Sequence, residues 1–116
     1  MLTAYDYHTA KILDRAGVDL ILVGDSLAMV MLGHKDTKHV TMQEMIHHTR
    51  AVANGVKNSL IVGDMPIHSY DNPQDAVINA RAFINAGAHK IKIENNKPDI
   101  VKALVKEGFE VMGHLG

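Results

Sequence analysis

Cysteine is absent from this 116-residue sequence. Its absence excludes a disulfide framework and any thiolate zinc or iron–sulfur site, and fits a reducing compartment. A surplus of either charge is also lacking: 12 Lys and Arg stand against 13 Asp and Glu, for a net charge of −1 and a pI near 6.7. Nothing here calls for nucleic acid or an anionic membrane surface as the main partner. The opening MLTAYDYHTAKILDRAG has no basic segment followed by an apolar one, and no apolar run approaches the roughly 18 residues that would span a bilayer. The expected location is the cytoplasm. Also missing are a Walker loop, a nucleotide-binding glycine fingerprint, a Ser nucleophile elbow and HExxH.

What is present is an ordinary globular composition, 47% hydrophobic and 22% charged, with mean hydropathy near zero. It suits one domain over residues 1–116. Four similar phrases punctuate the chain: RAGVDLILVGDS, ANGVKNSLIVGDMP, NAGAHKIKIENN and KEGFEVMGHLG. In each, a glycine (Gly17, Gly55, Gly87, Gly108) closes a helical segment, a strand-length β-branched run follows, and a polar group stands at its far end.

Amphipathic helices fill the intervals. A first, about His8 to Ala16, turns Ala10, Leu13 and Ala16 inward. Thr41 and Glu44 form a capping box ahead of a stripe of Met42, Met45, Ile46, Thr49 and Val52. Asn72-Pro73 opens a third helix carrying Ala76, Val77, Ala80, Phe83 and Ile84, and Lys97-Pro98-Asp99 a fourth carrying Ile100, Val101, Leu104 and Val105. With MLTAY as a first strand, the order alternates strand and helix through five strands and four helices. Such alternation predicts right-handed βαβ units and a parallel sheet, either doubly wound or part of a (βα)8 TIM-type barrel. The barrel explains more, because every strand ends in a functional side chain: Tyr5-Asp6, Asp25-Ser26, Asp64, Glu94 and His114. A complete barrel takes about 250 residues, so the expectation is an incomplete one with two open strand edges.

Asp25, Asp64 and Glu94 bring three carboxylates to one end of the sheet, where they repel unless a cation sits among them. Oxygen ligands on rigid strands suit Mg²⁺ or Mn²⁺, with waters or substrate oxygens completing the shell. Each acid taken alone also fits a helix cap. Strand alternation puts Lys92 on the same face as Glu94, opposite Ile91 and Ile93, where it suits a substrate carboxylate. Most of the eight histidines read as surface or helix-end groups, His47 and His48 on the second helix among those discounted; His114 differs in ending a strand on the rim. Met29 and Met31 read as core or lid filling in the long loop after Asp25.

These blocks resemble a known family. MLTAYDY, the VGDSL segment with its following GH, DT and VT pairs, DMPI, KIE and VMGHLG are similar to the N-terminal part of ketopantoate hydroxymethyltransferases, along essentially all 116 residues. The resemblance implies a (βα)8 barrel that transfers a hydroxymethyl group from 5,10-methylenetetrahydrofolate to 3-methyl-2-oxobutanoate, giving 2-dehydropantoate for pantothenate synthesis. It implies Mg²⁺ held at Asp25, Asp64 and Glu94, keto-acid contacts at Asp25, Ser26, Asp64 and Lys92, and a site-shaping role for His114. It further implies a homo-oligomer, a decamer in the family, and a glutamate base on a later strand beyond Gly116, so that no catalytic base lies in this sequence. Asn95-Asn96 stand where the family has two glycines, and Ala28 where it has one. Two other readings compete: a related Mg²⁺-dependent keto-acid barrel of the isocitrate lyase or phosphoenolpyruvate mutase type, and a non-catalytic half-barrel acting as a binding or assembly module.

Overall fold

A computed structural model describes residues 1–94 and 97–114; Asn95-Asn96 and the last two residues of GHLG lie outside the described residues. The apolar runs form strands β1 (Leu2–Thr3), β2 (Leu20–Val23), β3 (Leu60–Asp64), β4 (Lys90–Glu94) and β5 (Val111–His114). Helices α1 (Tyr7–Arg15), α2 (Leu27–Val30), α3 (Met42–Gly55), α4 (Pro73–Asn85) and α5 (Pro98–Lys106) lie between them. All strand pairings are parallel, in the order β1-β2-β3-β4-β5, so each successive strand adds to the same side. This is a run of βαβ units without the reversal of strand order that a doubly wound sheet requires. No helix among the described residues is long and apolar enough to cross a membrane.

The helix starts follow their sequence signals. Thr41 Oγ1 accepts from the Glu44 backbone N–H at 3.1 Å while Glu44 Oε1 accepts from the Thr41 N–H at 2.9 Å, closing the capping box. Asn72 accepts from the Asp75 N–H at 2.9 Å ahead of Pro73. Asp6, read as a rim acid, instead caps α1 by accepting from the Thr9 N–H at 2.8 Å. Its carboxyl is held below its ordinary range by that bond.

Register sorts the strand residues into two faces, because paired positions in a parallel ladder point the same way. Ile21, Val23, Ile61, Ile91 and Ile93 turn toward the helices and are fully buried with Phe83, Met45, Val52 and Leu104. Each such side chain contributes about 1.5–3 kcal/mol relative to exposure. Gly63, paired with Val23 and Ile91, shares that face, and a Cβ there would sit 2.3 Å from the Phe83 ring.

Some expectations need correction. Gly17, Gly87 and Gly108 have the positive φ of helix C-termini, but Gly55 remains inside α3. It is glycine for another reason: a Cβ would lie 2.6 Å from the Tyr7 carbonyl oxygen, where α1 crosses α3. Ala16 is exposed and Asp14 buried in its place, since α1 ends at Arg15. Val105 faces solvent, one position past the α5 stripe. Met29 and Met31 are 47% and 46% exposed, because α2 is a single turn that buries only Leu27 and Ala28.

Candidate functional site

The opposite face of the sheet carries Val62, Asp64, Lys90, Lys92, Glu94 and His114, and its polar members gather toward the carboxyl ends of the strands. Asp64 ends β3 and is 2% exposed. Its Oδ2 accepts from the Asp25 backbone N–H at 3.0 Å, which ties the end of β2 to the end of β3. Its Oδ1 is buried without a hydrogen bond. The Lys92 ammonium lies 3.6 Å from that oxygen, and Lys92 Nζ also lies 3.7 Å from Glu94 Oε1. His114 Nδ1 stands 3.5 Å from the same Glu94 oxygen, so the two pair when the imidazole is protonated. The structure thus links Asp25, Asp64, Lys92, Glu94 and His114 in one chain of contacts across four strands.

Ser26 joins from the β2 side. Its hydroxyl lies 2.6 Å from the Tyr5 hydroxyl. The Tyr5 carbonyl in turn accepts from His48 Nδ1 at 2.7 Å, which makes that nitrogen the protonated one. His48 and Tyr70 are the supporting residues that sequence reasoning passed over. For His48 a signal existed, since it falls three positions after buried Met45 and four before buried Val52.

Electrostatics mark the acid pair. Burial pushes the Asp64 carboxyl up from 3.8 to about 6, with the Asp25 charge adding to the rise against the pull of Lys92. Burial likewise raises Asp25, and the two carboxyls lie within hydrogen-bonding reach of each other, so they titrate as a pair. Three carboxylates around one ammonium leave an excess of two negative charges, which a divalent cation would neutralise. The orphaned Asp64 Oδ1 and the all-oxygen donor set therefore fit Mg²⁺. As placed, however, the acids do not converge: among the described residues no three His, Asp or Glu side chains lie close enough to share one ion. Asp25 and Asp64 form the adjacent pair, and Glu94 stands behind Lys92.

A cleft of about 620 Å³ lies at the other end of the strands, lined by Leu60, Arg81, His89, Lys90, Phe109 and Glu110 among others. Its charges are already satisfied: Arg81 pairs with Glu107 at 3.8 Å and Lys90 with Glu110. The rim at the carboxyl ends, where charge is unbalanced, is the candidate site.

Solved structures place this fold among the α/β barrels. The chain superposes on a phosphonopyruvate hydrolase complexed with oxalate and Mg²⁺ with a TM-score of 0.82 at 18% identity, covering 97% of this chain and 45% of that one. A phosphoenolpyruvate phosphomutase from Streptomyces platensis matches with a TM-score of 0.76 at 18% identity, over 97% of this chain and 47% of its own. At that identity the likeness concerns the fold.

The sequence goes further: the family model of ketopantoate hydroxymethyltransferase matches residues 1–116, and the chain belongs to that family. It is 54% identical to the 3-methyl-2-oxobutanoate hydroxymethyltransferase of Ignicoccus hospitalis over 119 residues and 55% identical to that of Clostridium novyi over 120. Both matches cover all of this chain, which spans 45% and 44% of the respective relatives.

Proposed function

We propose that the chain carries the cation and keto-acid site of an enzyme transferring a hydroxymethyl group from 5,10-methylenetetrahydrofolate to 3-methyl-2-oxobutanoate. Family membership supports the reaction. The observation that carries the site is Asp64: a nearly inaccessible carboxylate with one oxygen free of hydrogen bonds, beside a second carboxylate and a lysine. Native proteins leave few such buried groups unsatisfied, and a bound ion is one established reason to keep one.

Asp25, Asp64 and Glu94 would hold Mg²⁺, an ion that keeps part of its hydration shell. Bound there, the ion supplies Lewis-acid polarisation of the substrate's keto oxygen. Lys92, which lies between Asp64 and Glu94, would give its ammonium to the substrate carboxylate. Ser26, oriented by Tyr5, offers a hydroxyl on the β2 side, and His114 shapes the β5 side through Glu94. The proton on the carbon next to the keto group leaves to a base supplied by polypeptide outside this sequence.

Calorimetric titration with Mg²⁺ and 3-methyl-2-oxobutanoate tests this reading. The wild-type protein binds both, and Asp25→Ala loses the ion and with it most keto-acid affinity. A folded wild type that binds neither sinks the site; hydroxymethyl transfer by the 116-residue chain alone would refute the placement of the base.

A further inference from the structure

The last β3–β4 bond in the ladder runs from the Met65 N–H to the Lys92 carbonyl at 2.9 Å. In a parallel ladder the next residue of β4 facing β3 is Glu94, whose partner would be residue 66. That residue is Pro66, and the chain leaves the sheet there in a turn in which the Ser69 N–H donates to the Pro66 carbonyl at 3.1 Å. Tyr70 occupies the gap. Its hydroxyl accepts from the Glu94 backbone N–H at 3.2 Å and donates to the Glu94 carbonyl at 3.4 Å, so one phenol meets both backbone groups that β3 no longer serves.

The loop that presents this phenol is anchored. Ser69 and Tyr70 are 4% and 6% exposed, and Asn79 on α4 donates to the Ser69 carbonyl at 2.7 Å. His68 holds a φ of 69°, a costly left-handed conformation for a residue with a side chain, and costs of that kind persist only where the surroundings over-determine the backbone. The Lys97 ammonium lies 5.1 Å from the centre of the Tyr70 ring. A hydroxyl on a fixed ring can hold a strand end in register where a flexible polar side chain would not.

We propose that Tyr70 is a positioning residue: its hydroxyl replaces the missing β3 rung at Glu94 and thereby fixes the Glu94 carboxylate against Lys92 for its part in cation binding. The proposal rests on the rim being the cation site, and it places an outer support of that site on the β3–α4 loop. Groups that orient metal ligands from behind typically change affinity 10- to 100-fold when removed.

Tyr70→Phe keeps the buried ring and removes only the hydroxyl. Measured with Mn²⁺ as the probe, by calorimetry or electron paramagnetic resonance, it is expected to weaken binding 10- to 100-fold, and backbone hydrogen exchange in a peptide spanning 90–94 is expected to accelerate. Because the hydroxyl acts through Glu94, Tyr70→Phe added to Glu94→Gln should weaken Mn²⁺ no further than Glu94→Gln alone; a general packing defect would add its full effect. Full additivity, or unchanged exchange over 90–94, overturns the proposal. If the wild type binds no Mn²⁺ at all, the cation reading falls and the proposed role falls with it, while the exchange measurement still decides whether Tyr70 supplies the rung.

Discussion

Asp64→Asn removes the charge that the fold buries at greatest cost while keeping the shape and the acceptor for the Asp25 N–H. In the folded protein the Asp64 carboxyl titrates near 6, against 3.8 ordinarily. Between those values the native state holds more protons than the unfolded chain, so stability falls as pH rises from about 4 to about 6 and the penalty is fully present above that. The gap is worth about 3 kcal/mol at most, and sharing it with Asp25 leaves about 1–3 kcal/mol for Asp64 itself. Urea unfolding in EDTA at pH 7.5 should therefore show Asp64→Asn more stable than wild type by about 1–3 kcal/mol, with the difference shrinking toward pH 4. Mg²⁺ should reverse the ranking at pH 7.5, since a concentration about 1,000 times the dissociation constant stabilises the wild type by about 4 kcal/mol and leaves the variant unmoved. A variant that is equally destabilised at both pH values, or one that gains as much from Mg²⁺ as wild type does, would refute the claim that Asp64 is a buried charge awaiting a cation.

Two further substitutions probe the frame that presents the site. Gly63→Ala puts a methyl 2.3 Å from the Phe83 ring and should cost about 1–3 kcal/mol of stability through overpacking, read as a lowered urea midpoint; an unchanged midpoint would show that the β3–α4 contact has slack. Asp14 accepts from three backbone N–H groups, of Lys57, Asn58 and Ser59, which hold its carboxyl down at about 2. Its contribution is present above pH 4 and lost as pH falls from about 4 toward 2, so Asp14→Asn should destabilise the protein at neutral pH and lessen its acid sensitivity; an unaltered acid limb in the pH–stability profile would contradict this.

Much of the architecture was open to reading because its signals are local. Helix starts at Thr41 and Asn72, the alternation in KIKIE and the repeat of glycine, strand and acid each depend on a few neighbouring residues. Where a reading failed, the deciding contact was distant in sequence. Gly55 looked like another helix-ending glycine, yet the Tyr7 backbone is what excludes a side chain there. Asp14, between Leu13 and Arg15, carries no local signal, yet it captures a loop 43 to 45 positions away. His48 and Tyr70 have no chemistry in their own segments and acquire it only against Tyr5 and Glu94.

The sequence by itself determined which residues stand at strand ends and which face each takes, because side-chain direction alternates strictly along a strand. It thereby selected Asp25, Asp64, Lys92 and Glu94 as one group. Only the tertiary structure decided how that group is divided: buried Asp64 beside half-buried Asp25, Glu94 held apart by Lys92 and pinned through Tyr70. The physical reason is that charge balance and burial depend on distances across strands, and those are set by packing between segments that the linear order keeps far apart.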